Sequence, residues 1–340
     1  MYNFIEFCAG AGGLSSGLIK SGFNPVLLND NNKDACETLK KNHIDVNIQC
    51  MDMTKIDLED LKTKFYNIDL IAGGVPCQSF SYAGNQKGLD DSRGELIIHF
   101  LNIINILKPK IFLIENVKGL LTHNNGKTIL NILNQYNINE QYNINYKVLN
   151  SFNYEVPQKR ERLFIIGILN EYNTFYEFPE PVENKIVLKD ILINVPDSPC
   201  AKYNETKISL FKNIPQGGNW KDLNIEEQKK YLGNSFYSGG GKTGILKRLS
   251  MNEPSLTILC SPSQKQTERC HPLYERPLSI RESARIQTFD DNYIFSGSIT
   301  SQYKQIGNSV PVNLSYHVGT ELIKHLNNLT VTVNKNDNNH

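Results

Sequence analysis

The residues best suited to chemistry are the nine from Gly73 to Ser81, Gly-Gly-Val-Pro-Cys-Gln-Ser-Phe-Ser. A single cysteine is most often a small buried hydrophobe. Cys77 departs from that pattern: Gly73, Gly74 and Pro76 set the backbone and leave little side-chain cover, while Gln78, Ser79 and Ser81 surround the sulfur with hydrogen-bonding groups. An exposed thiol in a polar loop is a candidate nucleophile, provided one group lowers its pKa and another holds its target. The preceding run, Ile68-Asp69-Leu70-Ile71-Ala72, reads as a short strand buried on both faces, and the glycines and proline mark where the chain leaves the sheet. A cysteine just past such a strand end sits where open α/β sheets bind their ligands.

A second candidate is Glu115, carried at the tip of the apolar strand Ile111-Phe112-Leu113-Ile114 and delivered to the same sheet edge as Cys77. A carboxylate so placed is either a paired structural charge or a proton-handling group with a raised pKa, and its neighbour favours the second. Arg160 and Arg162 flank Glu161 at the start of a further strand, Leu163 to Leu169; the alternation lets both arginines point the same way, although they also suit a solvated strand end. Near the N-terminus, Cys8-Ala9-Gly10-Ala11-Gly12-Gly13 follows a strand over Asn3 to Phe7 and opens a helix, a turn that brings backbone close to a ligand and points helix N–H groups at it. Asp30 ends the next strand 17 positions after Gly13, near the spacing at which an acid meets ribose hydroxyls; it also suits a cap for a helix from Lys33 to Lys41. Asp52 follows a third short apolar stretch, placed either for an adenine-like amino group or for capping the next turn.

The elements that must position these groups alternate strand and helix, which makes the fold class α/β. A helix from Glu95 to about Leu107 shows one apolar face of Ile97, Phe100, Leu101, Ile104 and Leu107. From about Asn170 to Tyr274 the alternation fades into a proline- and glycine-punctuated region whose one helical period is the polar stretch Ile225 to Tyr231. Arg281 to Phe289 looks helical, Gln305 to Pro311 reads as a polar turn, and Val312, Tyr316, Gly319, Ile323 and Leu326 form the buried stripe of a closing helix. The domain reading is a catalytic and cofactor-binding part over 1–170, a loop-rich part over 171–275, a return to the first over 276–326, and an Asn-rich disordered tail over 327–340.

Composition narrows the class. The chain has 340 residues, 39% of them hydrophobic, enough for a main domain and a smaller one. A net charge of +1 means that any anionic partner is met by local patches. Between Gly240 and Thr288 eight basic residues face four acidic ones, an excess common on solvated faces. Seven cysteines without Cys-x-x-Cys spacing, no signal-like N-terminus and no run of about 18 apolar residues point to a cytoplasmic protein with reduced thiols and no membrane span. Cys260, Cys270 and His271 lack the knuckle spacing and a fourth ligand for zinc, so no metal is expected. Nothing offers a long apolar seam, which suggests a monomer.

Together these stretches resemble the DNA (cytosine-5)-methyltransferases of bacterial or phage restriction-modification type. The glycine turn at Cys8 to Gly13, Asp30, Asp52, Gly74-Val75-Pro76-Cys77-Gln78, Asp91-Ser92-Arg93-Gly94, Glu115-Asn116-Val117, Gln158-Lys159-Arg160-Glu161-Arg162, Arg276 to Phe289 and Gln305 to Pro311 occur in the family's order. There are departures: Cys8 and Val75 stand where the family usually has Phe, Asn31 for a frequent aromatic, and Asp290 for a usual Pro. The resemblance implies a Rossmann-like mixed sheet with helices on both faces, dependent on S-adenosylmethionine, plus a smaller target-recognition domain for double-stranded DNA. It implies that Cys77 adds to carbon 6 of a flipped-out cytosine and pushes electron density to carbon 5. Glu115, carrying a proton, would bind ring nitrogen 3 and the exocyclic amine; Arg162 would bind the exocyclic oxygen, and Arg160 would help hold the thiolate and the base edge.

By the same resemblance Ala9, Gly10 and Gly12 line the methionine end of the cofactor, Asp30 binds its ribose, Asp52 and Met53 meet the adenine, and Pro76, Leu96, Asn308 and Val310 complete the cavity, with Cys8, where the family's Phe stacks on the adenine, and Ala11, Gly13 and Asn31 also counted as cofactor-binding. Gln78 to Gly88 would close over DNA, with Ser81 on a phosphate, while Lys242, Lys265 and Arg269 are candidates for reading base edges. A cognate restriction endonuclease acting on the same site is the implied partner. Two rivals share the motifs: a tRNA cytosine-5 methyltransferase, against which the long middle region argues, and a catalytically silent DNA-binding relative, against which Cys77, Glu115 and Arg162 argue.

Overall fold

The computed structural model describes residues 1–76, 94–122, 129, 131, 133–134, 136–237, 244–264 and 268–337. It forms two compact units: one of 1–150, 161–181 and 312–340, the other of 151–160 and 182–311.

The first unit is built on a seven-stranded sheet of order β3-β2-β1-β4-β5-β8-β6. Its strands are β1 (Asn3–Phe7), β2 (Asn24–Asp30), β3 (Ile48–Cys50), β4 (Leu70–Gly73), β5 (Ile111–Val117), β6 (Tyr142–Asn150) and β8 (Glu161–Leu169), with the short β7 (Gln158–Lys159) in the other unit. β3, β2, β1, β4 and β5 run parallel, whereas β8 is antiparallel to β5 and β6 antiparallel to β8. The central strands are apolar nearly throughout: Phe4, Ile5 and Phe7 of β1, Leu70 and Ile71 of β4 and Ile111 to Ile114 of β5 are buried, as strands covered on both faces require.

Helices α1 (Gly13–Ser21), α2 (Lys33–Asn42), α3 (Leu58–Lys64) and α4 (Gly94–Leu107) cover the sheet's crossovers. The predicted stripe of α4, Ile97, Phe100, Leu101, Ile104 and Leu107, is buried in the main core. The last helix, Val312–Asp337, packs on α1 so closely that a Cβ at Gly17 would overlap Ser315 and the Val312 carbonyl. It also runs through the Asn-rich stretch expected as a tail.

The sheet fixes where a ligand belongs. β1 has β2 on one side and β4 on the other, so the chain turns one way after β1 and the opposite way after β4. In open α/β sheets ligands bind beyond the carboxyl ends of strands at such a switch. The glycine turn and Gly74-Val75-Pro76 are what follow those two ends.

The second unit has its own core, with Tyr203, Phe211, Ile214, Trp220, Leu223, Leu232, Leu246 and Cys270 at its centre. It holds more helix than the sequence pattern announced. Glu205–Lys212 is helical because Asn204 caps it, accepting from Lys207 N; its apolar positions are too few to show a clear period. Ser279 and Glu282 form a capping box that starts a helix at Ile280 and holds it to Ile286. Gln305 to Asn308, expected in a polar turn, are the last turn of a helix Ile299–Asn308 capped by Ser298, and Gln305, Ile306 and Gly307 are buried there. Residues 276–311 thus pack within the second unit. β7 pairs in parallel with β9 (Ser255–Leu256).

Candidate active site

The carboxyl edge of the first unit gathers the predicted groups in the order the sheet dictates. At the end of β1, Cys8 takes a left-handed φ of 55° and Gly10 one of 56°, so the chain turns sharply back before α1. Only glycine adopts that region freely. The turn is held by Ala9 N donating to Asn29 O at 2.9 Å, Gly12 N to Ala9 O at 2.9 Å and Gly10 N to Asp30 Oδ2 at 2.8 Å. A Cβ built at Gly10 meets nothing within 4 Å, so the turn faces open space. Ala9, Ala11, Gly12 and Gly13 are buried beneath it.

Asp30 ends β2 and does not cap α2. Its Oδ1 accepts from Asn32 N at 2.8 Å, and Asn32 is the cap, accepting from Ala35 N. Half-buried Asp30 therefore ties the β1 turn to the β2 turn, while Asn31 beside it is exposed. Asp52, after β3, accepts from Thr54 N at 3.0 Å and Thr54 Oγ1 at 2.9 Å through Oδ1; these bonds, helped by Lys55 and His99, hold its carboxyl below the usual range. Both readings offered for Asp52 remain compatible with this, since it caps the next turn and keeps Oδ2. Met53 is buried in the core, and Leu96 on α4 packs against it.

At the end of β4, Val75 is buried and its carbonyl accepts from Asn116 Nδ2 at 2.8 Å, which pins the segment leading into Cys77 against β5. Glu115 on β5 is buried, and its Oε1 lies 2.9 Å from Arg162 Nε on β8. Its Oε2 sits 3.4 Å from where a Cβ on Gly74 would be, so the carboxylate reaches the backbone two residues before Pro76. Cys77, Gln78 and Ser81 lie outside the described residues, as do Lys242 and Lys265.

Sequence reasoning missed Glu6. It is fully enclosed in β1 and its Oε2 has no hydrogen-bond partner. Burial pushes its carboxyl up to about 8; the charges of Asp30 and Glu115 add to this and Ser15 offsets part of it. The signal was an acid between Ile5 and Phe7 in an otherwise apolar strand. Burial also pushes the Cys8 thiol up to about 12, with Asp30, Glu6 and Asp52 reinforcing it. That thiol stays protonated and nonreactive at neutral pH. Glu6, Asp30, Asp52 and Glu115 converge on one glycine turn, a setting that suits a cation.

Four of the predicted residues that the structure describes fall in the second unit: Arg160, Asn308, Val310 and Arg269. Arg160 is buried and donates to Ile258 O at 3.2 Å and Gly307 O at 2.9 Å. Asn308 accepts from Cys260 Sγ at 3.0 Å, and Val310 is buried. The basic residues counted in the sequence mostly brace this unit internally. Arg248 donates to Phe211 O and Pro272 O and pairs with Glu275; Arg276 grips Glu282 through two nitrogens; Arg281 holds Asp290 O and Tyr293 O; and Arg285 pairs with Asp291. Arg269 is half-buried and donates to Glu268 O at 2.9 Å. Cys270 donates to Tyr274 O, and His271 Nδ1 accepts from Leu273 N at 3.0 Å. Among the described residues no three His, Cys, Asp or Glu side chains gather as a metal site, and no helix is long and apolar enough to cross a membrane.

Solved structures with the same fold include a DNA modification methyltransferase of an Escherichia coli prophage, with a TM-score of 0.73, 24% identity and coverage of 96% of this chain and 100% of that one. The Entamoeba histolytica methyltransferase EhMeth gives a TM-score of 0.71 at 19% identity, covering 96% and 99%. Sheet order and these likenesses define the class of fold: a Rossmann-like mixed sheet shared with these methyltransferases. A family model described as C-5 cytosine-specific DNA methylase matches residues 2–324, and the chain belongs to that family. Similar curated proteins are the Type II methyltransferases M.Eco47II of Escherichia coli, 44% identical over 95% of this chain and 79% of that protein, and M.PspPI of Psychrobacter, 46% identical over 96% and 80%. M.Sau96I of Staphylococcus aureus is 46% identical over 96% of this chain and 76% of its own length.

Proposed function

We propose that this chain modifies double-stranded DNA in a restriction-modification system, attaching a methyl group to carbon 5 of a flipped-out cytosine by way of a covalent Cys77 adduct. The observation that carries the reading is the convergence on one sheet edge of the open glycine turn, the Val75-Pro76 segment leading into Cys77, and the Glu115–Arg162 pair. S-adenosylmethionine, when bound, supplies the methyl group on a positively charged sulfur. The residues fit it: Gly10 leaves room, and Glu6 keeps an unpartnered oxygen that would complement a positive charge once ionised. Asp30, Asp52 and Met53 would hold its nucleoside, Ala9 to Gly13 its amino-acid end, and Pro76 and Leu96 would close against it.

Cys77, as its thiolate, would attack carbon 6 as the C5–C6 electrons shift toward carbon 5 and nitrogen 3; carbon 5 would then take the methyl group from the bound donor, and loss of its proton to water would expel the Cys77 thiolate and restore the ring's double bond. Glu115 would give that nitrogen a proton and accept from the exocyclic amine, while Arg162 orients the carboxyl and binds the exocyclic oxygen. Extruding the base costs a few kcal/mol, which pocket contacts and the loop from Gln78 must offset. The second unit would read the target, with Arg269, Lys242 and Lys265 as the candidates. The relatives' Type II names support a partner endonuclease acting on the same site. A single chain suffices for every role assigned here.

Tritium transfer from labelled S-adenosylmethionine to duplex DNA and to tRNA, followed by bisulfite sequencing of the DNA, tests the whole. Label in DNA at a recurring cytosine context is expected; label in tRNA alone would replace this function with the tRNA reading.

Glu6 gives a quantitative expectation. Without ligand its carboxyl is neutral at pH 7, ionising only near 8. A cation beside it favours the anion, so cofactor binding expels a proton and affinity climbs with pH toward 8, by up to about tenfold per unit. Ligand-free stability runs the opposite way: it is full below the ordinary value of 4.5 and is lost as pH rises through about 8. Glu6→Gln should flatten both profiles. Calorimetric titration across this range checks it, and an already flat wild-type affinity would dismiss the linkage.

A further inference from the structure

Resting on the cofactor reading above, we propose that His99 completes the purine end of that site, donating a hydrogen bond from Nε2 to a ring nitrogen of adenine beside the amine that Asp52 receives. Four observations converge on it. His99 lies three positions after Leu96 on α4, which places the two on one face of the helix. α4 packs against the turn Met53–Lys55, the turn that Asp52 caps. His99 is close enough to Asp52 to act electrostatically on that carboxyl. Its Nε2 is buried and has no hydrogen-bond partner.

A buried ring nitrogen without a partner costs free energy, and native proteins rarely keep one unless a ligand or water completes it. The neighbouring acceptor decides which ligand. Asp52 spends Oδ1 on Thr54 and keeps Oδ2 for an incoming donor. With its proton on Nε2, His99 offers a donor next to that acceptor. Adenine presents the complement, an exocyclic amine flanked by ring-nitrogen acceptors, whereas hypoxanthine carries an oxygen in place of the amine. The pair would therefore select the base as well as bind it.

The test is equilibrium binding of S-adenosylhomocysteine and its 1-deaza and 7-deaza analogues to the wild-type chain, to His99→Ala and to His99→Gln, with thermal melts confirming that each variant folds. His99→Ala is expected to bind S-adenosylhomocysteine about tenfold more weakly. The wild-type penalty for one of the two deaza analogues should vanish in His99→Ala, because the nitrogen removed from the ligand is the one the histidine had met. His99→Gln, which keeps an N–H, should recover part of the loss. The inference is overturned if His99→Ala binds the parent ligand as tightly as wild type, or if both deaza penalties persist unchanged, the mark of a merely structural effect. A wild-type chain that binds none of the three ligands would instead overturn the cofactor reading, and this inference with it.

Discussion

Cys77→Ser should reduce methyl transfer to below about a thousandth of wild type while leaving S-adenosylhomocysteine affinity within about twofold. The expectation follows from the sheet. Cys77 is next after Pro76, and the backbone entering it is fixed by Asn116 Nδ2 on Val75 O. The cofactor groups lie instead on the β1, β2 and β3 ends. A serine hydroxyl keeps the shape but is a far weaker nucleophile toward an aromatic carbon, so chemistry is lost and binding is not. Single-turnover transfer with saturating cofactor reads the first quantity and calorimetry the second. Turnover within tenfold of wild type would remove Cys77 as the attacking group; a parallel loss of affinity would place it in the cofactor pocket.

Glu115→Gln is expected to cost about a hundredfold or more in transfer rate, the range of a lost proton donor. The glutamine keeps the size of the side chain and a hydrogen-bonding face, so it isolates the proton. It also replaces the carboxyl 2.9 Å from Arg162 Nε, in a pair whose side chains are 14% and 10% exposed. Weakening a buried pair destabilises the fold, so melting temperature should fall as well. Transfer measured well below the melting temperature of Glu115→Gln separates the two effects: a hundredfold loss in the folded variant belongs to the carboxyl, whereas a rate within tenfold of wild type there would reduce Glu115 to a structural partner.

Much of this edge was legible in the sequence because it depends on short-range signals. An apolar run with Gly or Pro after it ends a strand, so Cys8 to Gly13 and Gly74 to Cys77 could be assigned to strand ends before any coordinates, and β1 stands where the pattern put it; β5 runs on past the expected Ile114 to Val117, so Glu115 lies within the strand, paired with Phe164, and not at its tip. Residues whose role depends on long-range burial were not legible. Glu6 reads as one acid in a strand, and only enclosure on every side makes its proton interesting. The arginines of the second unit escaped because composition counts charge and not partners: Arg248 reaches Phe211 O 37 positions away, and Arg276, Arg281 and Arg285 are held by Glu282, Asp290 O and Asp291. The helices Glu205–Lys212 and Ile299–Asn308 were missed because caps, rather than apolar periods, define them.

The docking of Val312–Asp337 on α1 bears on when the protein becomes active during its own synthesis. The glycine turn is made within the first dozen or so residues, yet the helix it opens lacks its packing partner until the other end of the chain has emerged from the ribosome. A nascent chain or product stopped before Val312 therefore lacks the helix that packs behind the glycine turn.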